Sequence, residues 1–363
     1  MSPRTLQLHS DLSSPTFSTR RLALSRSVTL LEATDSPRQD QAAALLQAIS
    51  EEAAGNKEGR SSFKIGLAGP PGAGKSTFIE ALGKHILDFG EPDSDHSSSP
   101  KPSSSWRPSR VAVLTVDPSS SFTGGSILGD KTRMPVLSLH PNAFVRPSPS
   151  RLNLGGLAAY TSDVIQLCTH AGYDLVIVET VGLGQSEIEV DQAVDMLCLL
   201  VPPAGGDELQ GSKKGIAECA DAIVVNKADG DLLRPARHTA ADYAAAVKWQ
   251  GTGKKEVRGK WKVPVLLASA KEGEGIEEVF EMIGKFRETM VGNGCLEKKR
   301  RAQGKYWMWK NLQDLVAKRT REDAAMKEVA AALDVALVEA RITPRNASRK
   351  LLEAFLESFN SNR

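Results

Sequence analysis

The chain has little of what would commit it to a specialised class. Four cysteines in 363 residues, Cys168, Cys198, Cys219 and Cys295, stand far apart with no CxxC pair, which excludes a disulfide framework. They read as reduced, buried small hydrophobes of a reducing compartment. Six histidines, His9, His85, His96, His140, His170 and His238, form no cluster along the sequence. Charge of one sign is also missing: Lys+Arg 46 against Asp+Glu 44 leaves +2, too little for nucleic acid as a bulk electrostatic partner. Apolar runs such as Met196 to Val201 fall far short of the roughly 18 residues of a membrane-spanning helix. What remains is an ordinary balance, 40% hydrophobic and 25% charged, which excludes collagen-like, wholly disordered and coiled-coil chains. At roughly 150 residues per domain the length allows two to three domains, so local sites must carry the function.

Along the chain, the first 27 residues carry Arg4, Arg20, Arg21 and Arg26, many Ser and Thr and a single acid, Asp11, the bias of a mitochondrial transit peptide, and 1–19 are expected to be that peptide or a disordered tail. Over 20–60, Leu24, Val28 and Leu31, then Ala42, Leu45, Leu46 and Ile49 recur at helical spacing and predict two short amphipathic helices around Pro37. Residues 61–292 alternate apolar runs (Phe63 to Ala68, Val111 to Val116, Leu175 to Val178, Met196 to Val201, Ala222 to Val225, Val263 to Ala268) with helix-length segments. That alternation predicts an α/β domain, a mostly parallel sheet covered by helices. Within it, the Ser/Pro-rich stretch 91–110 is expected to be a disordered surface insertion. From 293 to 363 the pattern is helical alone: Met326, Val329, Ala330, Leu333 and Leu337 form one stripe, Thr343 and Pro344 read as an N-cap and first-turn proline, and Leu351, Leu352, Phe355 and Phe359 form a second stripe. Such an arm either packs on its own domain or builds a dimer, and Tyr306, Trp307 and Trp309 favour the dimer, since these residue types are enriched at interfaces.

The chemistry is concentrated in a few motifs. Gly69, Pro70, Pro71, Gly72, Ala73, Gly74, Lys75, Ser76 and Thr77 fit GxxxxGK[ST] directly after a strand and before a helix, the context that a phosphate-binding loop requires. Glycines let backbone N–H groups wrap the phosphates, Lys75 is expected at the β/γ-phosphates and Ser76 on Mg²⁺. Asn226, Lys227, Ala228 and Asp229 follow a strand as the NKxD of GTP-binding proteins does. Asp229 can accept from the guanine ring N–H and exocyclic amino group; adenine would leave the carboxylate unpaired, costing roughly 1–3 kcal/mol or more. Ser269, Ala270 and Lys271 supply the SAK element after a further strand. Candidates for the metal and switch are Asp117, Asp130 and Glu179, the last opening Glu179-Thr180-Val181-Gly182 where most GTPases carry DxxG. A carboxylate at a strand end could equally be a solvated cap. Gly182 is expected to meet the γ-phosphate, and Gln185, three residues further on, is a candidate for orienting water; slow unassisted hydrolysis follows.

With these residues in view, the chain resembles the metallochaperone-type P-loop GTPases, and within them the MeaB/ArgK-type chaperones of adenosylcobalamin-dependent methylmalonyl-CoA mutase. Beyond the P-loop, the likeness covers Val116 to Ser120, Gly124 to Met134, Arg146 to Pro149, Glu179 to Glu187 and Pro202 to Gly211, and it extends into the helical arm. It implies a P-loop NTPase fold and a homodimer that binds GTP/GDP with Mg²⁺, gates cofactor loading and protects or reactivates the mutase, with the mitochondrial matrix as its place and the cytoplasm as the alternative. It gives Asp207, Lys213 and Lys214 as switch residues that communicate with the partner, with Ser212 standing where an apolar residue is usual. Two other readings share the P-loop: a nickel-insertion GTPase, which needs soft or imidazole ligands, and a kinase that passes the γ-phosphate to a small molecule or protein.

Overall fold

The computed structural model describes residues 1–33, 35–55, 62–90, 106–117, 134–149, 156–180, 189–203, 219–249, 259 and 261–361. Three helices lead the chain: α1 (Pro3–Leu12), α2 (Phe17–Leu31) and α3 (Ser36–Gly55). Strand β1 (Phe63–Ala68) and helix α4 (Lys75–Gly90) follow, then β2 (Val111–Asp117), the short α5 (Pro135–Leu139), β3 (Ala143–Pro149), α6 (Gly156–His170), β4 (Leu175–Thr180), β5 (Met196–Val201) and β6 (Ala222–Val225). After a 3₁₀ turn at Gly230–Leu232 come α7 (Leu233–Trp249), β7 (Val265–Leu267), α8 (Ile276–Gly292), α9 (Cys295–Glu322), α10 (Ala324–Val338) and α11 (Pro344–Ser361).

The strands form one seven-stranded sheet in the order β3-β2-β4-β1-β5-β6-β7, and every pairing is parallel. Its central strands are buried along their whole length, as in β4 and β5, so they read as continuous apolar runs rather than alternating ones. One core, built from Ile65, Leu67, Phe78, Ile79, Val279 and Ile283 among others, packs α4 and α8 on one face. Leu197, Leu199, Ile223 and Val225 pack with Ala236 and Tyr243 of α7 in a second cluster. Because all strands point the same way, every loop leaving a strand's carboxyl end lies on one edge. The order reverses at β1, which sits between β4 and β5, and open α/β sheets bind ligands at such a switch point.

Three expectations change. Residues 3–12 are not a disordered tail: Ser2 caps α1 by accepting from Thr5 N, and Leu8 and Leu12 are buried. The insertion is narrower than 91–110. Although 91–105 lie outside the described residues, Trp106 packs on Phe63 and Phe280 at ring separations of 5.5 and 6.2 Å, and Ser109 N and Arg110 N donate to Asp174. The arm also begins later than 293. The chain divides after Gly304, and the start of α9 belongs to the first unit: Lys299 Nζ pairs with Asp191 at 3.1 Å, Arg300 holds Asp195 with bonds of 2.8 and 2.6 Å, and Gln303 donates to the carbonyls of Asp191 and Val194. In the second unit α10 packs on α11, burying Met326, Ala347 and Phe355. Thr343 and Pro344 cap α11 as expected, with Asn346 N donating to Thr343 Oγ1. The cysteines are free thiols, three of them buried.

Candidate functional site

The loop between β1 and α4 begins at a crowded point. A Cβ on Gly69 would stand 2.1 Å from the carbonyl oxygen of Leu200 in β5, so only glycine lets β1 turn beside its neighbour. Gly74 has φ +84°, and a Cβ there would meet Asn226 Nδ2 at 2.7 Å; both the backbone angle and the space demand glycine. Lys75 opens α4 and is buried, with Nζ donating to the carbonyls of Gly69 at 2.8 Å and Pro70 at 3.1 Å. Ser76 Oγ donates across to the Glu179 carboxylate, 3.1 Å from Oε1 and 3.4 Å from Oε2. Glu179 is 6% exposed. A serine hydroxyl beside a buried carboxylate is a hard-oxygen donor set of the kind Mg²⁺ prefers, so these residues fit the ion expected there.

Asn226, 1% exposed at the end of β6, joins the motifs. Its Nδ2 donates to Ala73 O in the loop at 2.9 Å and its Oδ1 accepts from Ala270 N at 3.1 Å. Lys227 takes a left-handed backbone, φ 60°, and its stem approaches Gly74. Ser269 Oγ donates to Asp229 Oδ2 at 2.5 Å, while Glu272 N donates to the same hydroxyl; the serine therefore fixes the aspartate's orientation. Lys271 is exposed and ion-paired with Glu272 at 3.1 Å, a hydrogen bond that raises its pKa. Thus Gly69–Thr77, Glu179, Asn226, Lys227, Asp229 and Ser269–Lys271 converge on one edge of the sheet. Asp117 ends β2 on that edge. Asp130, Gly182, Gln185, Asp207, Lys213 and Lys214 lie outside the described residues.

Sequence reasoning missed two features. One is the double role of Asn226, which only the strand order creates. The other lies at the opposite, amino-terminal ends of β5 and β6, where Asp195 and Asp221 precede the strands and take up Arg300 and Lys299. No spacing signal links residues so far apart.

A family model described as "Methylmalonyl Co-A mutase-associated GTPase MeaB" matches residues 24–94 and 103–325. The chain is 42% identical over 340 residues to the "Methylmalonic aciduria type A homolog, mitochondrial" of Mus musculus, covering 93% of this chain and 77% of that protein. It is 38% identical over 336 residues to "GTPase ArgK" of Escherichia coli, covering 92% of each. Among solved structures, one described as "LAO/AO transport system kinase" superposes with a TM-score of 0.69 at 30% identity, covering 98% of this chain and 99% of that one.

Proposed function

Because this chain belongs to the MeaB family of methylmalonyl-CoA mutase-associated GTPases, and is therefore a guanine-nucleotide-binding enzyme that hydrolyses GTP, we propose that it serves a cobalamin-dependent mutase as a nucleotide-driven chaperone. In this reading GTP binding and hydrolysis gate adenosylcobalamin loading and protect or reactivate the mutase. The supporting observation is the convergence of the loop with Glu179 through Ser76 and with the guanine motif through Asn226, in a chain matched by a mutase-associated family.

Backbone N–H groups of 72–77 and Lys75 hold the phosphates, and Asp229, oriented by Ser269, selects guanine. Ser76 and Glu179 would hold Mg²⁺, with Asp117 and Asp130 as further acidic candidates. The ion would supply charge neutralisation at the β- and γ-phosphate oxygens. Gly182 would meet the γ-phosphate and Gln185 would orient the attacking water. Lys213 and Lys214 would answer to the partner. Their double replacement by Ala should leave GTP affinity and basal turnover within about threefold while removing most of the mutase-stimulated rate; full stimulation would reduce that loop to a docking surface.

A homodimer is supported by the second unit itself, where Met308, Leu312 and Leu315 recur on one stretch of α9 with Trp309, each exposed by about half or more. A mitochondrial matrix location is supported by the mouse relative's name and by the composition of residues 1–19. Those residues contribute α1 to the fold, so processing beyond residue 12 would remove Leu8 and Leu12 from the core; N-terminal sequencing of the native protein shows whether such processing occurs. The chaperone reading is tested by affinity capture from the native source with GDP or a non-hydrolysable GTP analogue. Nucleotide-dependent recovery of a cobalamin-dependent mutase is expected, and its consistent absence would overturn the reading.

A further inference from the structure

Far from the nucleotide edge, the fold gathers two histidines that the sequence keeps 161 positions apart (His9 and His170). His9 lies on α1, Glu52 on α3 and His170 is the last residue of α6. The three side chains offer ligand atoms that all lie within 4.8 Å of one another. Both imidazoles address the same carboxylate oxygen: Nε2 of His9 is 3.2 Å and Nε2 of His170 is 3.9 Å from Glu52 Oε2. The rings are stacked, with centroids 6.0 Å apart and planes 21° from parallel. Ser13, just past α1, places its hydroxyl 3.0 Å from His170 Nε2 and 3.4 Å from Glu52 Oε1.

We propose that His9, Glu52 and His170 form a binding site for a divalent transition-metal ion of the zinc type, clamping α1 and α3 to the end of α6. Two imidazoles and one carboxylate are a ligand set zinc uses, and with metal–ligand distances near 2.0–2.1 Å a tetrahedral ion puts its ligand atoms about 3.3 Å apart. The His9–Glu52 separation already has that value within a tenth or so, and the His170–Glu52 separation exceeds it by an amount that a small side-chain rotation closes. The Ser13 hydroxyl or a water would complete the fourth position.

The buried state of His9 Nε2 points the same way. It is shut off from solvent and has no hydrogen-bond partner, although the carboxylate oxygen stands 3.2 Å away. In the neutral tautomer that leaves Nε2 unprotonated, its lone pair opposes the carboxylate's, an arrangement that a cation between them makes favourable. Burial depresses the pKa of His170, with Glu52 opposing the shift. A plain His–Glu ion pair would need only one imidazole and would align its N–H with the oxygen. The proposal does not depend on the chaperone reading, since none of its residues belongs to the nucleotide site.

The test uses the full-length chain stripped with chelator, then kept in excess Mg²⁺ and GDP so that oxygen-ligand sites are filled. Titration with Co²⁺ is expected to give one ion per chain with the intense visible absorption of tetrahedral coordination, displaced by one equivalent of Zn²⁺, and Zn²⁺ should raise the unfolding temperature. Glu52→Gln, at a half-exposed position where folding is secure, and His9→Gln should each weaken Co²⁺ binding at least about a hundredfold, while His85→Gln leaves it unchanged. Absence of stoichiometric binding at micromolar free metal, or binding that survives both Glu52→Gln and His9→Gln, would overturn the proposal.

Discussion

Asp229 and Ser269 show how one acceptor is made from two motifs. The carboxylate that would face guanine is held by a hydroxyl 40 positions away in sequence, through a 2.5 Å bond. Replacing Asp229 by Asn removes the charged acceptor, and GTP affinity should fall at least about tenfold, or about 1.4 kcal/mol, while the unfolding midpoint stays near that of the wild type; fluorescent-nucleotide titration measures the first and thermal denaturation the second. Equal GTP and ATP affinities in the wild type would contradict the guanine assignment. Asn226 behaves differently. Its side chain satisfies one buried carbonyl and one backbone N–H, so Asn226→Ala strands both at about 1–3 kcal/mol for each unsatisfied group. Urea denaturation of nucleotide-free protein should show this loss of stability, and a variant as stable as the wild type would show that the bridge is dispensable.

At the scale of elements, helix α6 carries a charge that its surroundings resist. Burial raises the pKa of Asp163 to about 7 from an ordinary 3.8. Below pH 3.8 the group is protonated in both folded and unfolded chains and costs nothing. Between the two values only the unfolded chain ionises, so stability falls as pH rises, and above pH 7 the full penalty stands. Asp163→Asn is therefore expected to stabilise the protein at pH 8 by on the order of 1–3 kcal/mol and to change little below pH 4; an equal effect at both pH values would exclude the ionisation as its source. Strand β3 shows why one element was not legible. Pro147 and Pro149 interrupt the apolar run Ala143 to Val145, and proline argues against a strand until its place is known. At the sheet edge beside β2 the missing N–H groups cost little.

For the whole molecule, the boundary of the nucleotide-binding unit decides what can be removed. Truncation after Gly304 keeps Lys299, Arg300 and Gln303 on their partners and should give a folded monomer that still binds GTP. Truncation after Gly294 strips the cations from Asp191, Asp195 and Asp221, which are 5%, 0% and 2% exposed, and breaking a buried pair in this way costs about 3–5 kcal/mol. Analytical ultracentrifugation and urea titration of the two fragments should show the first monomeric and stable and the second unfolded or aggregated. A dimer from the fragment ending at Gly304 would move the dimer interface away from residues 305–361.

The candidate nucleotide site was legible along the chain because its information is local. The glycines of 69–74, the lysine and hydroxyls that follow, NKxD and SAK are each a short run whose backbone shape and chemistry depend on immediate neighbours, and a parallel sheet sends every such loop to one edge whatever the strand order. The apolar runs of β1, β5 and β6 were equally plain, since burial on both faces leaves no polar alternation to confuse. What only the tertiary structure decided involves residues brought together by that order: Asn226 reaching Ala73, Lys299 and Arg300 returning to the amino-terminal ends of β5 and β6, Trp106 closing the core beyond the insertion, and His9, Glu52 and His170 meeting across three helices. Each such contact joins positions separated by many residues, and its energy comes from desolvation and pairing in three dimensions, which no pattern along the chain records.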